Sequence, residues 1–270
     1  MIRKELVNGL KGVADDSRHF TCDACVCGKM VQGPFQDGHR HTDEHLGRLH
    51  SDVCGPMDVI SLGGNRYFCL LIDDHSGFIW YQPVAMKLDF STWFIKMDKL
   101  FLNQFGTHMK ILCSDRGGEY VNTTLESFCA DNGIILERSI AHTPEQNGVA
   151  EQANQKIEDK LHTLIKDTAV PDFLWADAGA MATYSINRTI SALSGGITLF
   201  KAFHGTRPSV AHMHVWYCNV FIHCDKSLGA RKLGERGKLV KFLGYPENVS
   251  RYRTYDPTNK KVEIVQAPMF

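Results

Sequence analysis

The chain has 270 residues, 43% of them hydrophobic, and its 30 basic residues are balanced by 30 acidic ones. That much apolar material suits one large domain or a domain with appendages, and no apolar run is long enough to span a membrane. The opening MIRKELVNGL lacks the apolar centre of a signal peptide, so membrane and signal-directed secreted classes are set aside, while zero net charge argues neither for nor against a nucleic-acid partner.

Residues 1–45 are polar and irregular, and hold Cys22, Cys25, Cys27 and several histidines. A strand pattern begins near residue 46. The run 46–53 ends at the turn Gly55-Pro56, and 66–72 and 78–84 are apolar runs separated by the turn residues 73–77. Together they predict a meander of three strands. A helix over 90–105 follows from Trp93, Phe94, Met97, Leu100 and Phe101, which recur at three- and four-residue spacing. Next come a short buried strand at 109–114, a helix at 122–132 with Thr124 as its N-cap, and a short strand at 134–137. The following helix has the clearest start signal: Thr143 caps it, Pro144 fits its first position and Gln146 completes a capping box. Its apolar stripe is Val149, Ala153, Ile157, Leu161 and Leu164.

Another helix near 173–187 follows the break at Pro171. After about Val215, β-prone runs at 220–223, 239–243, 251–255 and 262–265 predict a small β-rich appendage. The order is that of an α/β layer with helices against a mixed sheet. An RNase H-like fold fits it, as do other α/β folds. The expected divisions are 1–45, 46–210 and 211–270. From Asp225 to Phe270, ten Lys or Arg stand against five Asp or Glu, which suits phosphate contacts or an ordinary solvated surface equally. Cys54, Cys69, Cys113, Cys129, Cys218 and Cys224 sit in apolar or mixed stretches and read as small buried hydrophobes of a reducing compartment.

Two aspartates stand at strand ends: Asp52 closes RLHSD and Asp115 closes ILCSD, each followed within three residues by glycine. Strand ends beside turns expose functional side chains in open α/β sheets. Glu151 lies one to two turns into the capped helix, about 200° around it from Val149, and Asn147 and Asn154 share its face. Three carboxylates brought together repel one another unless cations neutralise them. Hard oxygen ligands select magnesium or manganese, and a pair of such ions can hold an attacking and a leaving oxygen in line across a phosphate. On spacing alone, an Asp after a strand is as readily a turn former and a helical Glu a solvated side chain.

The surrounding words decide between these readings. HSDVCGP, IDDHSG, SDRGGEY and TPEQNGVAE, in that order, resemble the integrases of copia-type LTR retrotransposons. Asp115 and Glu151 are separated by 35 residues, the spacing of retroviral-type integrases. FLWADAGAMATYSINRT, KLVKFLGY and YRTYDPTNKKV extend the resemblance from about Cys22 to Phe270. It implies an RNase H-like catalytic core that trims the 3′ ends of element DNA and joins them to target DNA, with Asp52, Asp115 and Glu151 holding two magnesium or manganese ions. It implies that Asn147, Gly148 and Asn154 lie near the DNA end. It also implies work as a homo-oligomer on DNA in the nucleus, with RNA as a further nucleic-acid partner and no membrane. No long Lys/Arg run serves as a localisation signal.

Cys22 and Cys25 have zinc-ligand spacing. With Gly28 and Lys29 they resemble the second half of the family's His2Cys2 zinc module. Only His19 precedes Cys22, and too closely, so the chain is expected to begin inside the module. The two cysteines are then expected to be free thiols, with a partial zinc site as the alternative. Gln152, Ala153 and Gln155 stand where the family carries basic or longer polar side chains, Arg116 where it carries Asn, and Gly77 where it carries Arg. Each lost phosphate contact weakens DNA binding. Two other functions therefore stand beside the integrase: a catalytically inactive nucleic-acid-binding remnant, and a nuclease that cuts without joining.

Overall fold

The apolar words of the sequence fold into a five-stranded mixed sheet: β1 (Leu49–Cys54), β2 (Tyr67–Asp73), β3 (Ile79–Val84), β4 (Ile111–Ser114) and β5 (Ile135–Arg138). The computed structural model describes residues 42–139, 148–167, 170–190, 196–223, 237–246 and 251–270. Cys22, Cys25, the capping signal at 143–146 and Asn147 lie outside them. The strand order is β3-β2-β1-β4-β5. β1, β2 and β3 form the expected antiparallel meander, while β4 pairs parallel with both β1 and β5.

Because side chains alternate across a strand, the sheet has two apolar faces. Leu49, Val53, Cys69 and Leu71 pack against Phe90, Trp93, Phe94, Met97 and Phe101 of α1 (Asp89–Phe105) and against Leu125 and Cys129 of α2 (Thr123–Asp131). On the other face Phe68, Leu70 and Ile72 meet Ala150, Ala153, Ile157 and Leu161 of α3 (Gly148–Asp167) and Trp175, Ala178, Met181 and Ala182 of α4 (Trp175–Asn187). A strand covered on both sides reads as an unbroken apolar run, which is why β2 is YFCLLID. The fold is thus the expected α/β, RNase H-like arrangement of helices on a mixed sheet.

Several boundaries differ from expectation. The second helix is capped by Asn122, whose side chain accepts from the Leu125 amide at 2.9 Å, and not by Thr124, which lies inside the first turn. Both residue types cap well; Asn122 has the extended backbone a cap needs. β1 continues for two residues past Asp52, since Val53 and Cys54 still pair with Cys69 and Phe68. A short helix, α5 (Leu199–His204), was not expected. Thr198 caps its start and Gly205, at φ 72°, ends it. Six residues are too few for a helical period to show.

IDDHSG is a structural device at the end of β2. Buried Asp73 accepts from the amides of Leu46 (2.8 Å) and Ser76 (2.9 Å) and from the Ser76 hydroxyl (2.6 Å). Asp74 accepts from the Thr42 amide at 2.8 Å and pairs with His50 at 3.0 Å. Gly77 takes φ 72°, a left-handed conformation that suits glycine, so an Arg here would be strained.

A second sheet, β6 (Asn219–His223), β7 (Gly237–Gly244), β8 (Tyr252–Asp256) and β9 (Lys261–Val265), is antiparallel in that order. Met269 pairs with Phe221 on the free edge of β6. The sheet encloses Val220, Ile222, Val240 and Phe242. It meets the α4 side through Tyr255, which packs with Phe173, and through an ion pair between Arg253 and Asp177. Burial raises the Asp177 carboxyl above its usual range, and Arg253 pulls it back. A carboxyl so raised contributes its stability at low pH and loses it as pH rises through the folded value. Arg253→Met is therefore expected to cost about 1–2 kcal/mol at neutral pH, limited by the exposure of the guanidinium. That cost should shrink on acidification, which urea unfolding at two pH values would measure. No helix among the described residues is long and apolar enough to cross a membrane.

Candidate functional site

Asp52 sits in the middle strand of the five. In the parallel pairing, Leu49 stands opposite Leu112 and His50 opposite Cys113. Carried two residues further, that register sets Asp52 beside Asp115, which follows directly after Ser114 at the end of β4. Neighbouring strands lie roughly 4.8 Å apart, and residues at one register level face the same way. The two aspartates thus come together because RLHSD and ILCSD lie side by side, residue for residue.

Glu151 arrives from the opposite layer. It is exposed in the first turn of α3, and Asn154, one turn on, donates from Nδ2 to Asp52 Oδ2 at 2.5 Å. The helix N-terminus adds a favourable field for nearby anions. Gly148 opens the described helix, and a Cβ there would meet nothing within 4 Å. The structure therefore gathers Asp52, Asp115, Glu151 and Asn154 at the same end of the sheet. Cys54 and Glu158 belong to the same surface and were missed in the sequence. Cys54 donates from Sγ to Glu158 Oε1 at 2.8 Å. The signal was available: Cys54 is two residues along the strand from Asp52, and Glu158 four along the helix from Asn154.

Electrostatics agree with the geometry. Burial raises the Asp52 carboxyl. The Val53 amide and the Asn154 side chain lower it, and the charges of Asp115 and Glu151 raise it again. Among the described residues, none of these influences comes from a cationic side chain. Asn154 Oδ1 is buried and has no hydrogen-bond partner. A hard-oxygen set with uncompensated negative charge fits a divalent cation of the magnesium or manganese kind. Among the described residues, no three His, Cys, Asp or Glu side chains stand close enough to share one ion. The carboxylates are near enough to act on one another, but not drawn into a single coordination sphere.

Asp115 is presented by a glycine turn. Its Oδ1 accepts from the Gly117 amide at 2.9 Å. A Cβ on Gly117 would fall 2.6–2.8 Å from the carboxylate of Glu119, which is buried and paired with Lys87 at 3.4 Å. A Cβ on Gly118 would meet nothing. Gly117→Ala is expected to destabilise the protein by about 1 kcal/mol, since the Glu119 carboxylate must shift away, and Gly118→Ala to leave it near the parent. Urea midpoints of the pair would check this, and equal midpoints would remove the steric account of the turn. A separate cavity of about 980 Å³ lies further along α3, beside Asp74, His75, Gln152, Lys156 and Lys160. None of the three carboxylates lines it.

Residues 43–144 match the integrase core domain family, and residues 218–267 match the retroviral polymerase SH3-like domain. The chain is 33% identical over 262 residues to the retrovirus-related Pol polyprotein from transposon TNT 1-94 of Nicotiana tabacum, covering 97% of this chain and 19% of that protein. It is 28% identical to the corresponding polyproteins from transposons RE1 and RE2 of Arabidopsis thaliana, over 87% and 86% of this chain and 16% of each relative. The chain thus spans less than a fifth of the length of these relatives. It carries an integrase core domain followed by a retroviral polymerase SH3-like domain, and along nearly its whole length it is similar to the Pol polyproteins of copia-type transposons.

Proposed function

We propose that this chain is a DNA-joining enzyme: a polynucleotidyl transferase that trims the 3′ ends of element DNA and transfers them into target DNA. Its catalytic acids are Asp52, Asp115 and Glu151. The observation that carries the reading is geometric: strand register sets half-buried Asp52 beside Asp115, and α3, tied to Asp52 by Asn154, brings Glu151 to the same end of the sheet. Asp52, Asp115 and Glu151 would hold two divalent cations, magnesium or manganese. When bound they would supply charge neutralisation and activate the attacking oxygen. The protein's part is placement. Asp52 and Asp115 are fixed by strand register, Glu151 is delivered by α3, and Asn154 holds Asp52 in one rotamer, so its free carboxylate edge keeps a constant aim. Asn147, Gly148 and Asn154 are assigned to the DNA end.

The core is placed at 46–210 and the β-rich region at 211–270, with 1–45 as the remaining portion. The proposed setting is the nucleus, the partners are element ends and target duplex, and the acting form is a homo-oligomer on DNA.

The test is strand transfer on a labelled duplex bearing the element's ends, in manganese and in magnesium, with Asp115→Asn and Glu151→Gln alongside. Joined product from the parent, lost in both variants by about 10³-fold, is the expected result. Binding without cutting or joining would make the chain a DNA-binding remnant. Cutting without joining would make it a nuclease.

A further inference from the structure

Glu151 is exposed, so its position follows from where α3 lies on the sheet. The apolar side of the helix fixes that only loosely at its start, because Ala150 and Ala153 are the buried residues there and small side chains interlock weakly. Two polar ties flank that apolar stripe. Asn154 donates to Asp52, and Cys54 donates to Glu158. Asp52 and Cys54 are alternate residues of β1 and share a face, separated by roughly 6.6 Å along the strand. Asn154 and Glu158 are one turn apart on α3, separated by roughly 6.0 Å. The two intervals match, and the bonds run in opposite senses, helix to strand and then strand to helix. A slip of one residue would move the helix about 1.5 Å and turn it about 100°, breaking both.

We propose that Cys54 and Glu158 form a positioning pair that locks the register of α3 on β1 and thereby places Glu151 over Asp52 and Asp115. The pair touches no reacting atom; it acts through the helix. The proposal rests on the carboxylate reading of the site and adds to it the reason why one helix register is selected. Ile157 and Leu161 hold the middle of the helix, but at its start, where the buried residues are alanines, the Asn154 tie is a single point of attachment. The second tie, one turn along, supplies another.

The experiment is manganese binding to the full chain, followed by calorimetry with the ion alone and by thermal midpoints of the metal-free protein. The variants are Cys54→Ala, Cys54→Ser, Glu158→Gln and Asp115→Asn. Loss of a residue that orients metal ligands typically weakens metal binding 10–100-fold. Cys54→Ala is accordingly expected to weaken manganese binding by about tenfold. Cys54→Ser, which keeps a donor, should restore it to within about twofold, with both variants melting alike. Glu158→Gln keeps an acceptor and should bind as the parent does. In DNA joining, the Cys54→Ala defect should fall on kcat and leave KM for DNA unchanged. Three outcomes overturn the pair: undiminished binding by Cys54→Ala, no rescue by Cys54→Ser, or loss of binding in Glu158→Gln, which would make Glu158 itself a ligand. If Asp115→Asn binds manganese as tightly as the parent, the carboxylate reading falls and the pair with it. If only Asp115→Asn is impaired, the reading stands and the pair alone is refuted.

Discussion

Asp52→Asn is expected to remove DNA joining by about 10³-fold and, in the same protein without metal, to raise the thermal midpoint. The two effects share one cause. Burial and the charges of Asp115 and Glu151 lift the Asp52 carboxyl above its ordinary range. A carboxyl raised on folding gives its full stability below its unfolded value and loses it as pH rises through the folded value. At neutral pH the ionised group is therefore a net cost that folding carries for function. Asparagine removes the charge and keeps the shape. One of its polar atoms can still accept from the Val53 amide, and Asn154 can turn its amide to present Oδ1, which now lacks a partner. A gain of about 2–4 °C is expected, the shift that roughly 1 kcal/mol produces in a domain of this size. Magnesium or manganese should raise the parent's midpoint by mass action and leave the variant's unchanged. The gap between metal-free parent and variant should narrow on acidification. A variant less stable than the parent at every pH would make Asp52 a structural residue.

The largest loss of stability is expected at Gly179. Helix α4 approaches the sheet so closely there that a Cβ would stand 2.5 Å from Tyr81 Cζ, and closer still to its hydroxyl. Tyr81 is a rigid ring on β3 in a packed layer, with Phe68 beside it, so it has nowhere to retreat. Alanine gains up to about 1 kcal/mol of helix propensity, yet overpacking of a filled core costs about 1–3 kcal/mol, occasionally more. The net expectation for Gly179→Ala is a loss of about 2 kcal/mol in urea unfolding, and Gly179→Val should fail to fold. Tyr81 also buries its hydroxyl without a hydrogen-bond partner. Tyr81→Phe removes that unsatisfied group and should stabilise by about 1 kcal/mol. In the Tyr81→Phe background, Gly179→Ala should cost less, because the nearest colliding atom is gone while the ring remains. Additive costs in the double variant would mean that the two residues do not touch.

The parts of the molecule legible in the sequence are those written in local pattern. The meander follows from apolar runs broken at 73–77, and the aspartate pair from two similar words ending in Asp. Even the alignment of RLHSD with ILCSD is a sequence fact, although only the parallel pairing gives it meaning. What stayed hidden depends on partners far along the chain. Gly179 looks like any small helical residue until Tyr81 is placed against it. Cys54 reads as a buried hydrophobe until Glu158 arrives. Asn122 and Thr124 are equally good caps on paper, and backbone geometry chooses between them. Asp73 and Asp74 enter the sequence only as part of the word IDDHSG, and the structure shows backbone amides, the Ser76 hydroxyl and His50 bonded to them.

The partner that satisfies Asp52 lies 102 residues further along the chain. During synthesis, β1, β2, β3 and β4 can leave the ribosome and pair while α3 is still unmade. A nascent chain that ends before Gly148 holds both aspartates but neither Asn154 nor Glu151. The repulsion at the heart of the site therefore exists before the residue that restrains Asp52 and before the acid that completes the set. The order of translation thus makes the aspartate pair before either residue of α3, and the ties from Asp52 to Asn154 and from Cys54 to Glu158, 102 and 104 residues apart in the chain, can close only once α3 has been made.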